Sequence, residues 1–430
     1  MATLPAAPRV GLWGLLGSGN SGNDASMETV LGYLRDAHPG AVVDVMGGGD
    51  PGRMHAEYGV GATPLYWYQR HDQQKSGVRA GILKALGKGI DVVRTMSWVR
   101  RHDAVIVPGA GALESTLPTR PWGFPFALFV LCLSGRISRT KVALVSVGAE
   151  TIKPRATRLL SDATARLAYY RSYRDASSKQ AMQRRGIDAS GDPVYPDLVF
   201  GVPAPPYEPG DPQLVGVGVM DYYGGNDDRH RADEIHSGYI EKMTRFTGWL
   251  VDGGHTVRLF GGDSKFDWDV ADQIQARVRA GRPGLAASAI SADRVASYAE
   301  LMKLLSPVGI VVATRYHNVM CALKLCKPTI SLGYSRKFVT LMADMGLAGF
   351  NQPADSFDLD KLTAQFAEIE QRHAELRQQM ADRNAANVRS LREQFALLSD
   401  RLFPAASASA QDSRRSGVQA DRNTRVRSGS

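Results

Sequence analysis

The stretch Ile310-Val-Val-Ala-Thr314-Arg-Tyr-His317-Asn-Val-Met-Cys-Ala322-Leu-Lys-Leu-Cys-Lys-Pro328-Thr-Ile-Ser-Leu-Gly-Tyr334-Ser-Arg-Lys337 reads as strand, helix, strand. A β-branched apolar run is followed by apolar positions at helical spacing, Val319, Met320, Ala322, Leu323 and Leu325. Lys-Pro then stops the helix, and a second apolar run covers 329–332. This is the βαβ unit of a parallel α/β sheet, whose ligands bind at the carboxyl ends of the strands. Arg315 and His317 follow the first strand, and Tyr334 and Lys337 follow the second. Arginine offers a planar fork to carboxylate or phosphate, and histidine moves protons near neutrality. The combination suits a small, doubly charged anion undergoing acid–base chemistry.

Working outward, the same alternation fills the chain, which at 430 residues is too long for one core. Strands are expected at 10–16, 41–46, 104–107, 142–147, 194–199, 214–220, 256–260, 286–290, 310–312 and 329–332. A proline-rich junction, Val202-Pro-Ala-Pro-Pro-Tyr-Glu-Pro209, interrupts them. The expectation is an N-terminal Rossmann-like domain over 1–201, a linker over 202–212 and a second Rossmann-like domain over 213–358. A helical segment over 359–403 packs back, and 404–430 forms a disordered basic tail. The strand and glycine loop at Val10 echo those at Val215, as two similar domains facing a cleft would.

The net charge is +9, with a pI near 9.4. A basic body serves nucleic acid, an anionic membrane face or an anionic substrate. No basic-aromatic RNA signature or zinc-finger spacing occurs, which removes nucleic acid. Cys132, Cys321 and Cys326 form no metal-binding cluster and read as buried reduced thiols of a cytoplasmic protein. The N-terminus lacks a signal sequence, and the apolar run 124–133 is too short to span a bilayer. Residues 70–103 include Ile82, Leu83, Leu86, Ile90 and Val93 on one side of a helix, with Arg79, Lys84, Lys88 and Arg94 among the rest. Two readings apply: a sheet-covering helix, or peripheral contact with the cytoplasmic membrane face.

Gly17-x-Gly19-x-x-Gly22 matches the dinucleotide fingerprint, and Asp44 stands where a ribose-binding acid would end the next strand. An NAD-type oxidoreductase is therefore a competitor. Against it, Asn23-Asp24 opens the helix and places a carboxylate where a pyrophosphate needs bare amides. Asp24 reads as a helix cap or as a carboxylate that holds sugar hydroxyls. A second glycine turn leads to Glu114, either an acceptor-binding carboxylate or a first-turn charge. A third, Gly261-Gly262-Asp263, offers another acid.

The run 314–337 resembles the C-terminal signature of the polysaccharide pyruvyl transferase family: Ser/Thr-Arg-x-His, a helix with Ala, a small residue before Pro, then Tyr-x-x-Lys. Gly19-Asn20-x-Gly22-Asn23-Asp24, Arg174-Asp175-x-x-Ser178 and Asp197-x-x-Phe200 are similar to further family segments. The departures are Asn23 inserted before Asp24, and Cys326 where the family usually has glycine. The resemblance implies two Rossmann-like domains of the GT-B glycosyltransferase class and cofactor-free, metal-independent transfer from phosphoenolpyruvate to a sugar. It implies donor binding by Arg315, His317, Lys337, Arg174 and Tyr334, with His317 assisting proton transfer. Gly19, Asn20, Asp24 and Glu114 fall to the acceptor, a cell-surface polysaccharide or glycolipid, with Asp24 orienting or deprotonating its hydroxyl. The alternatives are a nucleotide-sugar glycosyltransferase, the NAD-type oxidoreductase and a non-enzymatic glycan-binding relative.

Overall fold

Two six-stranded sheets, each parallel throughout, organise the computed structural model, which describes residues 7–67, 78–114, 121–205, 208, 210–262, 265–295 and 297–404. Asp263 and the tail beyond 404 lie outside the described residues. The first sheet is built from β1 (Arg9–Trp13), β2 (Val42–Gly47), β3 (Gly61–Pro64), β4 (Ala104–Pro108), β5 (Lys141–Val147) and β6 (Tyr170–Tyr173). Helices α1 (Ser21–Ala37), α2 (Pro51–Tyr58), α3 (Val78–Val99), α4 (Phe124–Ser138), α5 (Arg155–Leu167) and α6 (Ala176–Arg184) alternate with them. The strand order is β3-β2-β1-β4-β5-β6.

The second sheet repeats this plan with β7 (Asp211–Gly218), β8 (Thr256–Phe260), β9 (Ile290–Asp293), β10 (Val308–Ala313), β11 (Thr329–Gly333) and β12 (Asn351–Pro353). Its helices are α7 (Ala232–Asp252), α8 (Lys265–Ala280), α9 (Tyr298–Leu305), α10 (Tyr316–Lys324) and α11 (Arg336–Asp344), followed by α12 (Leu359–Gln371) and α13 (His373–Leu402). The order β12-β11-β10-β7-β8-β9 makes β7 and β10 the central pair, where the winding reverses. All six residues of β10 are buried, as expected of a strand covered on both faces.

The chain divides into two compact units: 1–18, 26–198 and 389–430 in the first, Gly19–Ala25 and Val199–Val388 in the second. The expected boundaries at the linker differ from this in two segments. Gly19–Ala25 groups with the second unit, and α13 gives its last turns to the first. There Gln394 bonds Ser146 and Ser172, while Ser399 bonds Tyr33 and His38. Within the second unit Lys324 and Lys327, both buried, bond the carbonyls of Phe200, Glu208 and Ser306 and so hold the linker segment.

Residues 194–199 are not a strand. Val194 makes one bridge to Tyr173, and Leu198–Gly201 is a 3-10 turn. The sixth strand is instead Tyr170–Tyr173. Asp44 is also corrected: it lies inside β2, paired with Gly11 and Gly61, and its carboxylate meets Arg9 and His102. The carboxyl end of β2 is Gly47, so the acid needed by the NAD reading is absent from that position.

Candidate functional site

The second unit gathers Thr314-Arg315-Tyr316-His317 and Tyr334-Ser335-Arg336-Lys337 after neighbouring strands, with Ala313 beside Ser331. Helix α10 starts after Arg315 and α11 after Ser335, and neither start carries a side-chain cap. Two helix N-termini thus open side by side, an arrangement that favours anions. Thr314 is fully buried, and its hydroxyl pairs with the Tyr239 hydroxyl at 2.8 Å, which anchors the segment. Lys337 Nζ sits 4.7 Å over the Tyr316 ring. Tyr334 packs its ring against Phe338 and Tyr222.

Arg315 donates through Nε and Nη2 to the two oxygens of Asp267, at 2.8 and 2.7 Å. The ion pair fixes the guanidinium plane and leaves the arginine side chain 31% exposed, against 0% for Asp267. Asp267 also accepts the backbone N–H groups of Asp221 and Gly262, each at 2.9 Å. An expected result follows: Asp267→Ala leaves a guanidinium and two amides without their acceptor and lowers stability by about 3–5 kcal/mol, read as a shift in the urea midpoint.

The later part of the first glycine turn, Gly19–Ala25, belongs to the same unit as these segments. Gly17 and Gly19 have φ of +68° and +83°, so the turn needs glycine there. Gly22, in the first turn of α1, has a different reason. A Cβ placed on it would overlap the imidazole of His317, with Nε2 the nearest atom. The third glycine of the fingerprint therefore makes room for a histidine ring from the same unit. Capping falls to Asn20, whose Oδ1 accepts the N–H of Asn23 at 3.1 Å. Asp24 is buried, and its Oδ2 accepts the N–H of Gly19 at 3.3 Å, which braces the turn.

Arg174 and Glu114 belong to the first unit, where they pair with each other. Arg174 also faces Asp197 at 3.5 Å and Asp175 at 3.7 Å, so three carboxylates surround one guanidinium that is 7% exposed. Asp175 caps α6. Asp267, Asp221 and Tyr239 belong to no motif of the sequence, yet the fold brings them to this site. Asp267 had a signal: it continues the buried stripe Val270, Ala271, Ile274, Val278 of α8. An aspartate on an apolar stripe requires a buried partner.

The fold is that of a two-unit Rossmann-like protein of the GT-B class. The chain belongs to the polysaccharide pyruvyl transferase family, whose sequence model matches residues 20–336. It is a transferase that acts on polysaccharide. The fold is similar to that of a protein described as a UDP-N-acetylglucosamine 2-epimerase from Listeria monocytogenes, with TM-score 0.59, 11% identity and coverage of 91% of this chain and 96% of that one. It is also similar to the UDP-GlcNAc 2-epimerase of Methanocaldococcus jannaschii (0.55, 11%, 84% and 92%) and to Acinetobacter baumannii MurG (0.53, 10%, 91% and 99%). Among curated proteins none matches the chain.

Proposed function

We propose that the enzyme takes its pyruvyl group from phosphoenolpyruvate and closes it as a ketal on two hydroxyls of a cell-surface polysaccharide or glycolipid, releasing phosphate. The observation that carries this reading is the pair of uncapped helix N-termini flanked by Arg315, His317 and Lys337. Phosphoenolpyruvate bears a carboxylate and a phosphate, and two helix starts with fixed cations supply a partner for each. Arg315 serves the donor's charge, and His317 binds the phosphate and gives it a proton as it leaves. Tyr334 supplies an apolar wall. The family pattern adds Arg174 to the donor side and Glu114 to the acceptor side. Gly19, Asn20 and Asp24 shape the turn under His317 and orient the acceptor. Backbone amides and cationic side chains share the donor's charge in this scheme, and side chains supply the protons. The test is a thermal shift: phosphoenolpyruvate is expected to raise Tm while UDP and NAD do not. A shift with UDP alone would replace this reading with nucleotide-sugar transfer.

The same reading places the enzyme at the cytoplasmic face of the plasma membrane. Among the described residues no helix is long and apolar enough to cross a membrane. Yet Leu86, Ile90 and Val93 lie on one face of α3, with Leu86 and Val93 60% and 67% exposed. Such a stripe fits an anionic lipid surface. Leu86→Asp/Val93→Asp is expected to abolish co-sedimentation with phosphatidylglycerol vesicles; unchanged sedimentation would remove the membrane contact.

A further inference from the structure

Strand β7 ends at Gly218, paired with Ala313 of β10, where the winding of the second sheet reverses. Open α/β sheets bind ligands at this point. Arg315 and His317 leave β10 here, and Asp221 leaves β7. The N–H of Asp221 donates to Asp267 Oδ1, the oxygen that also accepts from Arg315 Nη2. The Asp221 backbone and the Arg315 guanidinium are therefore held by one atom.

The Asp221 carboxyl has its own support. His236 of α7 places Nδ1 3.6 Å from Oδ1, an ion-pair distance too long for a hydrogen bond. That Nδ1 is buried and lacks a hydrogen-bond partner. The ring of Tyr223 stacks on His236, with centroids 4.2 Å apart and planes 6° from parallel. Its phenol also faces the Asp221 carboxyl. Carboxyl, imidazole and phenol cluster together, and the acid remains 22% exposed. The charged groups that face Asp221 are His236 from α7, Asp267 from α8, Arg315 from the turn before α10, and the Tyr223 phenol. Burial first, and then the buried Asp267 carboxylate, raise the Asp221 carboxyl above its usual range, while His236 and Arg315 act the other way.

We infer that Asp221 is the acid that protonates the methylene carbon of the enolpyruvyl group, with His236 positioning and recharging it. The inference rests on phosphoenolpyruvate being the donor. In the step, the C2–C3 π pair takes the Asp221 proton and becomes the third C–H bond of a methyl group. The first sugar hydroxyl bonds to C2 and loses its proton. The C2–O bond to phosphate then breaks, and phosphate leaves with the electron pair and one proton from His317. The second hydroxyl bonds to C2, closes the ketal and loses its proton. The two hydroxyl protons pass to solvent, and two protons taken from solvent restore His317 directly and Asp221 through His236, so both acids return to their starting state. Methylene protonation and phosphate departure thus fall to different residues.

The test uses the purified full chain with phosphoenolpyruvate and methyl galactoside and glucoside probes, with phosphate release as the assay. Asp221→Asn keeps the backbone N–H on Asp267 and is expected to lower kcat by about 10²–10⁴-fold, with KM for phosphoenolpyruvate changed less than about threefold. Asp221→Glu is expected to recover part of the rate. Activity requires the protonated acid, so it falls as pH rises through the Asp221 pKa. Without the imidazole that stabilises the carboxylate, His236→Gln is expected to move that limb to higher pH, whereas a merely structural role would leave it in place. A Asp221→Asn enzyme within about threefold of wild-type kcat overturns the inference and leaves the donor assignment standing. A wild-type enzyme that releases no phosphate from phosphoenolpyruvate overturns the donor assignment itself, before any variant is compared.

Discussion

His317→Ala is expected to lower phosphate release from phosphoenolpyruvate by about 10²–10⁴-fold, the usual contribution of a positioned proton donor. The fold should survive. His317 is only partly buried and stands in the first turn of α10, while the core below it is carried by Val319, Met320 and Leu323, all fully buried. Circular dichroism and the urea midpoint are expected to match wild type, so the loss would be one of chemistry. Near-normal turnover in a folded His317→Ala protein would remove His317 from the mechanism.

Gly22→Ala is expected to act through the same ring. The added methyl overlaps the His317 imidazole, which is the far end of a side chain and can swing aside at small cost to stability. Alanine for glycine inside a helix otherwise stabilises by about 0.4–1 kcal/mol. Stability should therefore hold or rise slightly while activity falls by about 10²-fold, because a misplaced catalytic group loses its near-attack geometry. The double variant separates this from other effects. In a His317→Ala background, Gly22→Ala is expected to change kcat little further, since both act on one ring. Full additivity would place the Gly22 effect elsewhere.

What could be read from residues alone follows the range of the interactions. Strand-helix alternation and the contiguous Arg-x-His and Tyr-x-x-Lys segments are local patterns, and they fall where expected, after β10 and β11. The edge strands β3, β6 and β12 escaped because each is three or four residues long and none has a continuous apolar run. Residues 194–199 misled because their apolar content packs as a turn rather than pairing. The glycine fingerprint is real as backbone geometry at Gly17 and Gly19, yet the partner of Gly22 is a histidine that only the tertiary fold brings there. Asp267 escaped for the same reason, 48 residues from Arg315. Cys326 shows the opposite case. It stands where the resemblance leads one to expect glycine and adopts φ of +55°, a left-handed position that this chain fills with a strained side chain.

The central claim is that the second unit binds phosphoenolpyruvate and passes its three-carbon unit to a sugar. Proton NMR of a reaction with phosphoenolpyruvate and methyl galactoside or glucoside tests it most directly, since conversion of the vinylic methylene into a ketal methyl reports the transfer itself. A new methyl singlet is expected to grow in step with inorganic phosphate and to be absent with His317→Ala. Phosphoenolpyruvate left intact by the wild-type enzyme, or phosphate released with free pyruvate and no ketal methyl, would contradict it.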